Sequence, residues 1–165
     1  MKIAIDGTAA SGKGTLGKRL STILNLPYLD TGLLYRKTAS LYLNNPNVNI
    51  KESLNIKILD KIIQETNFND LDAKSLQNEL YGIYASKIAK FQIVRNKLKE
   101  IQINFSNQML NDRSGCILDG RDIGTNILPN ANYKFFIDAN LEVRAKRRYE
   151  QLLSSSNAVD YNDIL

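Results

Sequence analysis

Short apolar runs alternate along the chain with longer stretches of helical period. Lys2-Ile3-Ala4-Ile5 is apolar and closed by Asp6-Gly7, which predicts a buried strand. From about Gly14 the period turns helical, with Leu16, Leu20, Ile23 and Leu24 on one face. Pro27-Tyr28-Leu29 predicts a brief second strand ending at Asp30-Thr31-Gly32. The next helix carries Leu34, Ala39, Leu41 and Tyr42 until Asn44-Asn45-Pro46 stops it. Residues 52 to about 63 predict another helix, followed by a polar break at Asn67-Phe68-Asn69-Asp70. From 76 to 110 the pattern is almost wholly helical, divided near Lys90-Phe91. Cys116-Ile117-Leu118 predicts a third strand running into Asp119-Gly120-Arg121-Asp122, and Tyr133-Lys134-Phe135-Phe136-Ile137 a fourth ending at Asp138. A basic helix over 141 to about 153 closes the pattern, broken by Ser154-Ser155-Ser156-Asn157.

Strands alternating with helices imply parallel strands joined by crossovers, hence an α/β sheet flanked by helices. No repeat or low-complexity segment interrupts it. Residues 7–14, 30–32 and 119–124 are polar, glycine-punctuated turns that each follow a predicted strand. In an open parallel sheet such turns share the carboxyl edge, where ligands bind. One crevice bordered by all three is therefore expected.

The chain has 165 residues, 43% of them apolar and 24% charged. That suits one globular domain, large enough to bury roughly 70% of its unfolded surface, and excludes wholesale disorder. Histidine is absent and Cys116 is the single cysteine. These counts exclude a disulfide framework, a Cys/His zinc site, a Ser-His-Asp triad and a Cys-His dyad, and leave Cys116 as a core residue. Asp6 interrupts the N-terminal apolar run before a signal peptide could form, and no apolar stretch reaches the ~20 residues that span a bilayer. A soluble, cytoplasmic protein is expected. The excess of 22 Lys+Arg over 17 Asp+Glu, a net charge of +5, suits nucleic acid or nucleotide phosphates. It follows equally from a composition rich in Lys, Ile and Asn, so charge alone decides little.

Gly7-Thr8-Ala9-Ala10-Ser11-Gly12-Lys13-Gly14-Thr15 lies between a strand and a helix, the setting a phosphate-binding P-loop requires. Glycines let the backbone fold tightly enough to aim successive N–H groups at phosphate oxygens. The helix adds its positive end, and Lys13 a mobile charge for the β- and γ-phosphates. A ligand-free glycine turn is the plainer alternative; the spacing, the lysine and the flanking elements weigh against it. The residue after Lys13 is Gly14, with Thr15 one step later, where GTPases and motor-type ATPases place a metal-binding hydroxyl. Gly-Lys-Gly-Thr is the variant seen in nucleoside monophosphate kinases, whose metal is held by phosphates and water.

Tyr28-Leu29-Asp30-Thr31-Gly32-Leu33-Leu34-Tyr35-Arg36 and Asp119-Gly120-Arg121-Asp122-Ile123-Gly124-Thr125 resemble segments of the bacterial cytidylate (CMP) kinase family. So do Ala85-Ser86-Lys87-Ile88-Ala89, with Val94-Arg95 downstream, and the basic helix Arg144-Ala145-Lys146-Arg147-Arg148-Tyr149-Glu150-Gln151-Leu152. The resemblance implies the P-loop nucleoside monophosphate kinase fold and transfer of the ATP γ-phosphoryl group to CMP or dCMP, with Mg²⁺ accompanying ATP and no direct protein ligand to the metal. It assigns Arg36 and Arg121 to the acceptor phosphate, which a guanidinium can grip with two parallel bonds. Thr31 and Tyr35 join that acceptor set. Cytosine offers an N4 amine to a carboxylate; the resemblance puts Asp122 there, with Ser86 assisting and Arg95 donating to the ring acceptors. Uracil would turn O4 toward that carboxylate and be rejected. Lys13, Arg121 and Arg148 are the expected groups on the transferring phosphoryl. The acceptor phosphate is already anionic at neutral pH, so the missing histidine is no obstacle.

Each assignment has a plainer alternative: solvated arginines for Arg36 and Arg121, a turn cap for Asp122, solvent-facing positions for Ser86 and Arg95, core packing for Tyr35. Arg144, Arg147 and Arg148, at i, i+3 and i+4, equally describe a wet helix face. Asp30 and Asp119, ending strands, are read as orienting the loops or a metal-bound water. The interval at 64–75 leaves no room for the small β-rich insertion of many bacterial family members, and Gln77 stands where those members usually carry an arginine. The chain stops at Leu165, inside what the resemblance makes the lid, so a fragment lacking the last core strand and final helix is expected, with its fourth strand an unpaired edge. The expectation is one P-loop kinase domain over 1–165, with core 1–44 and 90–153, an acceptor-binding region at about 45–89 and the start of a lid at 154–165. A monomer acting on ATP and CMP or dCMP is expected, without long nucleic acid or membrane partners. The rivals are another small P-loop kinase acting on AMP, UMP or a metabolite such as shikimate, a nucleotide-binding module without activity, and, from charge alone, a nucleic-acid-binding protein.

Overall fold

The computed structural model describes residues 1–153. Its elements run β1 (Lys2–Gly7), α1 (Lys13–Leu24), β2 (Tyr28–Asp30), α2 (Thr31–Leu43), α3 (Ile56–Ile63), α4 (Glu79–Ile88), α5 (Gln92–Arg113), β3 (Cys116–Gly120), β4 (Tyr133–Ile137) and α6 (Leu141–Leu153). They form two compact units, one from Met1–Leu29 with the described part of Met109–Leu165, the other from Asp30–Gln108. The start of the lid expected at 154–165 lies outside the described residues.

The first unit is built on a four-stranded sheet ordered β2-β3-β1-β4. β1 pairs in parallel with β3 on one side, Ile3 opposite Ile117 and Asp6 opposite Gly120. It pairs in parallel with β4 on the other, Ile3 opposite Tyr133 and Gly7 opposite Ile137. The α/β sheet flanked by helices is as the alternating pattern implied. Central parallel strands are covered on both faces and so read as continuous apolar runs. Ala4, Ile5, Cys116, Ile117 and Leu118 are accordingly fully buried. Ile3, Ile5, Leu26 and Ile117 form a cluster with Leu16, Leu20, Tyr28 and Ile137 packed against it. β4 is an edge among the described strands and leaves Tyr133, Phe135 and Phe136 exposed.

The apolar face predicted for α1 holds only in part. Leu16 and Leu20 pack on the core, but Ile23 is 75% exposed and Leu24 is exposed as well. The reason lies at the helix end. Asn25 adopts a left-handed conformation (φ 51°), and the chain reverses there. Ser21 Oγ donates to the Leu26 carbonyl at 2.6 Å, and Leu26 enters the core in place of Ile23. Gly17 seats this helix on Tyr28, whose ring lies 2.5 Å from where a Cβ would stand.

In the second unit, α2 buries Leu34, Thr38, Ala39 and Tyr42, and α3 buries Leu59, Ile62 and Ile63. α4 contributes Tyr84, Ala85 and Ile88, and α5 Val94, Leu98, Ile101 and Phe105. Two buried hydroxyls satisfy each other here, Thr38 and Thr66 at 3.0 Å, while Thr38 also reaches the Leu34 carbonyl. The helix predicted from residue 52 begins only at Ile56. Side chains outcompete it: Asn49 Oδ1 accepts from the Lys51 amide, and Asn55 Oδ1 from the amides of Lys57 and Ile58, which makes Asn55 the cap. The division expected near Lys90-Phe91 is present between α4 and α5.

Leu118→Ala removes a fully buried side chain from a central strand and is expected to cost about 2–5 kcal/mol in urea unfolding. Ile23→Ala, on the exposed end of α1, is expected to stay within about 0.5 kcal/mol of the parent.

Candidate active site

The loop between β1 and α1 is shaped by the close approach of its backbone to β4. A Cβ at Gly7 would stand 2.2 Å from the Ile137 carbonyl oxygen and 3.0 Å from Ser11 Oγ, so no larger residue fits. Gly12 caps α1 at φ 102°, a left-handed conformation that glycine adopts without strain. The first helical bond runs from the Leu16 amide to the Gly12 carbonyl at 3.1 Å, so the amides of Lys13, Gly14 and Thr15 open outward from the helix start. Lys13 Nζ donates to the Thr8 carbonyl at 3.4 Å, held inside the loop it belongs to. Ser11 Oγ is buried and has no hydrogen-bond partner. Thr8 Oγ1 donates to Asp138 Oδ1 at 3.1 Å, fastening the loop to the end of β4.

β3 ends on the same sheet edge, one strand away. Asp119 is buried and accepts from the Tyr28 hydroxyl at 2.9 Å; its Oδ2 lies 3.4 Å from where a Cβ on Gly14 would stand. Arg121 and Asp122 are exposed beyond it. Asp122 is left-handed (φ 52°), and its Oδ2 accepts from Asn126 Nδ2 at 3.0 Å. A widened helical turn, Ile123–Ile127, follows. Asp6, the last polar residue of β1, accepts from the amides of Ile123 at 2.7 Å and Gly124 at 2.8 Å.

The basic face of α6 divides its work. Arg147 Nη1 donates to the Ser11 carbonyl at 2.9 Å and the Ala10 carbonyl at 3.4 Å, a clasp on the loop between β1 and α1. Arg144 Nε donates to the Ala139 carbonyl at the base of its own helix, and Arg148 is half-buried.

In the second unit, Asp30 caps α2 by accepting from the Gly32 amide at 2.9 Å, and Thr31 is buried as its first residue. Tyr35 is half-buried. Arg36 Nη1 donates to the carbonyls of Leu76 (3.0 Å) and Asn78 (2.9 Å). Gly82 makes room for it, since a Cβ there would stand 2.8 Å from Arg36 Nη2. Ser86 Oγ donates to the Gly82 carbonyl at 3.2 Å, so Arg36 and Ser86 meet at one glycine. Arg95 Nη1 reaches the carbonyls of Ala89 (2.8 Å) and Lys90 (2.9 Å), and Nη2 donates to Gln92 Oε1. Gln77 is exposed in the short turn Ser75–Gln77, which Asp72 initiates. Hydrogen bonding by the Ser75 side chain, then by the amides of Lys74 and Ser75, holds the Asp72 carboxyl below its usual range.

The profile described as Cytidylate kinase matches residues 3–165. The chain belongs to the cytidylate kinase family. Among curated relatives, a cytidylate kinase of Lawsonia intracellularis is 41% identical over 173 residues, covering 99% of this chain and 74% of that protein. A cytidylate kinase of Bartonella henselae is 42% identical over 99% of this chain and 72% of its own length. One from Thermosipho melanesiensis is 42% identical over 99% and 75%.

Within this member of the cytidylate kinase family, two of the three turns expected at one edge, those after β1 and β3, stand on neighbouring strands of the first unit. The third opens the second unit at Asp30. Sequence reading passed over Asp6, Gly82 and the Tyr28–Asp119 pair. A carboxylate closing a buried strand just before a phosphate loop was the available signal for Asp6. Nothing along the chain marked Gly82, because its neighbour Arg36 lies on another helix. No helix among the described residues is long and apolar enough to cross a membrane.

Gly7→Ala drives a methyl into a backbone carbonyl that the sheet cannot move. It is expected to weaken ATP binding, read by isothermal titration, by at least ~100-fold.

Proposed function

We propose that this chain transfers the γ-phosphoryl group of ATP to CMP or dCMP, releasing ADP and CDP or dCDP. Family membership over residues 3–165 gives the reaction class. The observation that carries the reading for this chain is that Arg121 and Asp122 directly follow β3, which lies beside the strand that runs into the glycine-rich loop.

The loop residues Gly7, Thr8, Ala9, Ala10, Ser11, Gly12, Lys13, Gly14 and Thr15 receive the ATP phosphates. Ser11 Oγ, buried and unpartnered, is a donor that a phosphate oxygen satisfies, and the outward amides of α1 add others. Lys13 exchanges its weak 3.4 Å bond to a neutral carbonyl for the charged β- and γ-phosphates, a stronger partner. No three His, Cys, Asp or Glu side chains cluster for a metal among the described residues. Buried Asp119, an oxygen donor beside Gly14, fits a water on a magnesium ion carried in by the triphosphate. Bound there, the ion would neutralise charge developing between the β- and γ-phosphates.

On the family resemblance, Arg36 and Arg121 bind the acceptor phosphate, with Thr31 and Tyr35 in the acceptor set. Asp122 accepts from the cytosine N4 amine, assisted by Ser86, and Arg95 donates to the ring acceptors. Arg36 and Arg95 are oriented by neutral backbone carbonyls, against which an anionic acceptor is the stronger partner for a guanidinium. The acceptor oxygen is already anionic, so alignment and charge neutralisation by Lys13, Arg121 and Arg148 carry the rate, and no side chain removes a proton.

A coupled ADP-release assay with CMP, dCMP, UMP and AMP tests the reading. Lys13→Met is expected to lower kcat by on the order of 10²–10³-fold. Asp122→Ala is expected to lower kcat/KM for CMP by at least ~10-fold while changing that for UMP far less. Equal losses with every acceptor would end the assignment of Asp122 to the base.

A further inference from the structure

The two residues assigned to the acceptor, Arg121 and Asp122, form a span with no regular structure of its own. Before it, β3 ends at Gly120, and after it the widened turn begins at Ile123. Asp122 is left-handed at φ 52°, a conformation that aspartate adopts more readily than most non-glycine residues. Within the turn, the amides of Asn126 and Ile127 reach the Asp122 carbonyl, that of Leu128 the Ile123 carbonyl, and Asn126 Nδ2 donates to Asp122 Oδ2. The amides of Ile123 and Gly124, at its start, have no partner within the turn.

Asp6 supplies both. Its Oδ1 accepts from Ile123 at 2.7 Å and its Oδ2 from Gly124 at 2.8 Å, short bonds of the charge-assisted kind. The same residue's backbone stands opposite Gly120 in the β1–β3 ladder. One residue therefore holds the chain on either side of Arg121-Asp122, by its backbone before the pair and by its carboxylate after it. The fit is tight, since a Cβ on Gly124 would stand 3.2 Å from Asp6 Oδ2 and 3.2 Å from Lys134 Cδ. Asp6 also directly precedes Gly7, so the clamp ties the acceptor-side pair to the strand that launches the phosphate loop.

We propose that Asp6 is the positioning residue for acceptor recognition: by gripping the Ile123 and Gly124 amides it sets where Arg121 and Asp122 project. The consequence for the acceptor rests on the reading of Arg121 and Asp122 under Proposed function. Two N–H donors need two acceptor oxygens, and an asparagine offers one oxygen and a competing N–H. Asp6→Asn is thus a substitution of nearly equal shape that breaks the grip.

The experiment compares Asp6→Asn, Gly124→Ala and Asp122→Ala with the parent by steady-state kinetics, thermal melting and amide hydrogen exchange. In Asp6→Asn, exchange at residues 121–124 speeds up, KM for CMP rises by ~10-fold or more while KM for ATP stays within about two-fold, and selectivity for CMP over UMP falls. Gly124→Ala, which crowds the carboxylate, shifts the same quantities in the same direction. A lower melting temperature with CMP-to-UMP selectivity and the ratio of the two KM values unchanged would overturn the proposal, because a merely structural role predicts that result. So would unchanged exchange at 121–124. Loss of selectivity in Asp122→Ala but not in Asp6→Asn would likewise reject positioning while leaving the acceptor site in place. Unchanged selectivity in Asp122→Ala would instead fail the acceptor reading, and hydrogen exchange alone would then decide whether Asp6 holds the turn.

Discussion

The site depends on one strand being paired on both sides and packed so closely that its end admits only glycine. β1 is bonded in parallel to β3 and β4, and Gly7 faces the Ile137 carbonyl at a distance no side chain tolerates. That contact sets the direction in which the chain leaves the sheet. The phosphate loop, the start of α1 and Lys13 inherit their positions from it. The loop is then fastened from outside by Thr8 on Asp138 and by Arg147 on the Ala10 and Ser11 carbonyls.

Four of the basic side chains near the candidate site donate to backbone carbonyls: Arg36, Arg95, Arg147, and Lys13, the last to the Thr8 carbonyl. A neutral acceptor keeps a guanidinium hydrogen-bonded and oriented without cancelling its charge, and a phosphate competes for it on favourable terms. Carboxylates serve the complementary purpose: Asp6, Asp30 and Asp119 hold amides or a hydroxyl that shape the loops.

Legibility followed the range of the interactions. The four strands and the helices after β1, β2 and β4 were visible because short apolar runs and the 3.6-residue period are local signals, whereas the widened turn after β3 was not. The late start of α3 was not, since Asn49 and Asn55 compete with the helix through side-chain bonds that periodicity does not register. The exposure of Ile23 was hidden for a similar reason: a left-handed Asn25 reverses the chain and delivers Leu26 to the core instead. Among site residues, the phosphate loop stood out because its glycines and lysine are contiguous. Gly82 and Tyr28 did not, because each matters only through a partner far along the chain.

By itself, then, the order of residues determined the α/β class and marked the glycine- and lysine-bearing loop, both encoded in runs of a few neighbours, while the acceptor candidates came from resemblance to the family. Only the tertiary structure decided the strand order β2-β3-β1-β4, which carbonyls the arginines rest on, and that Asp6 spans 117 positions to hold Ile123. Those outcomes depend on close approach between segments distant in sequence, where a few tenths of an ångström separate a hydrogen bond from a clash, and no local pattern carries that information.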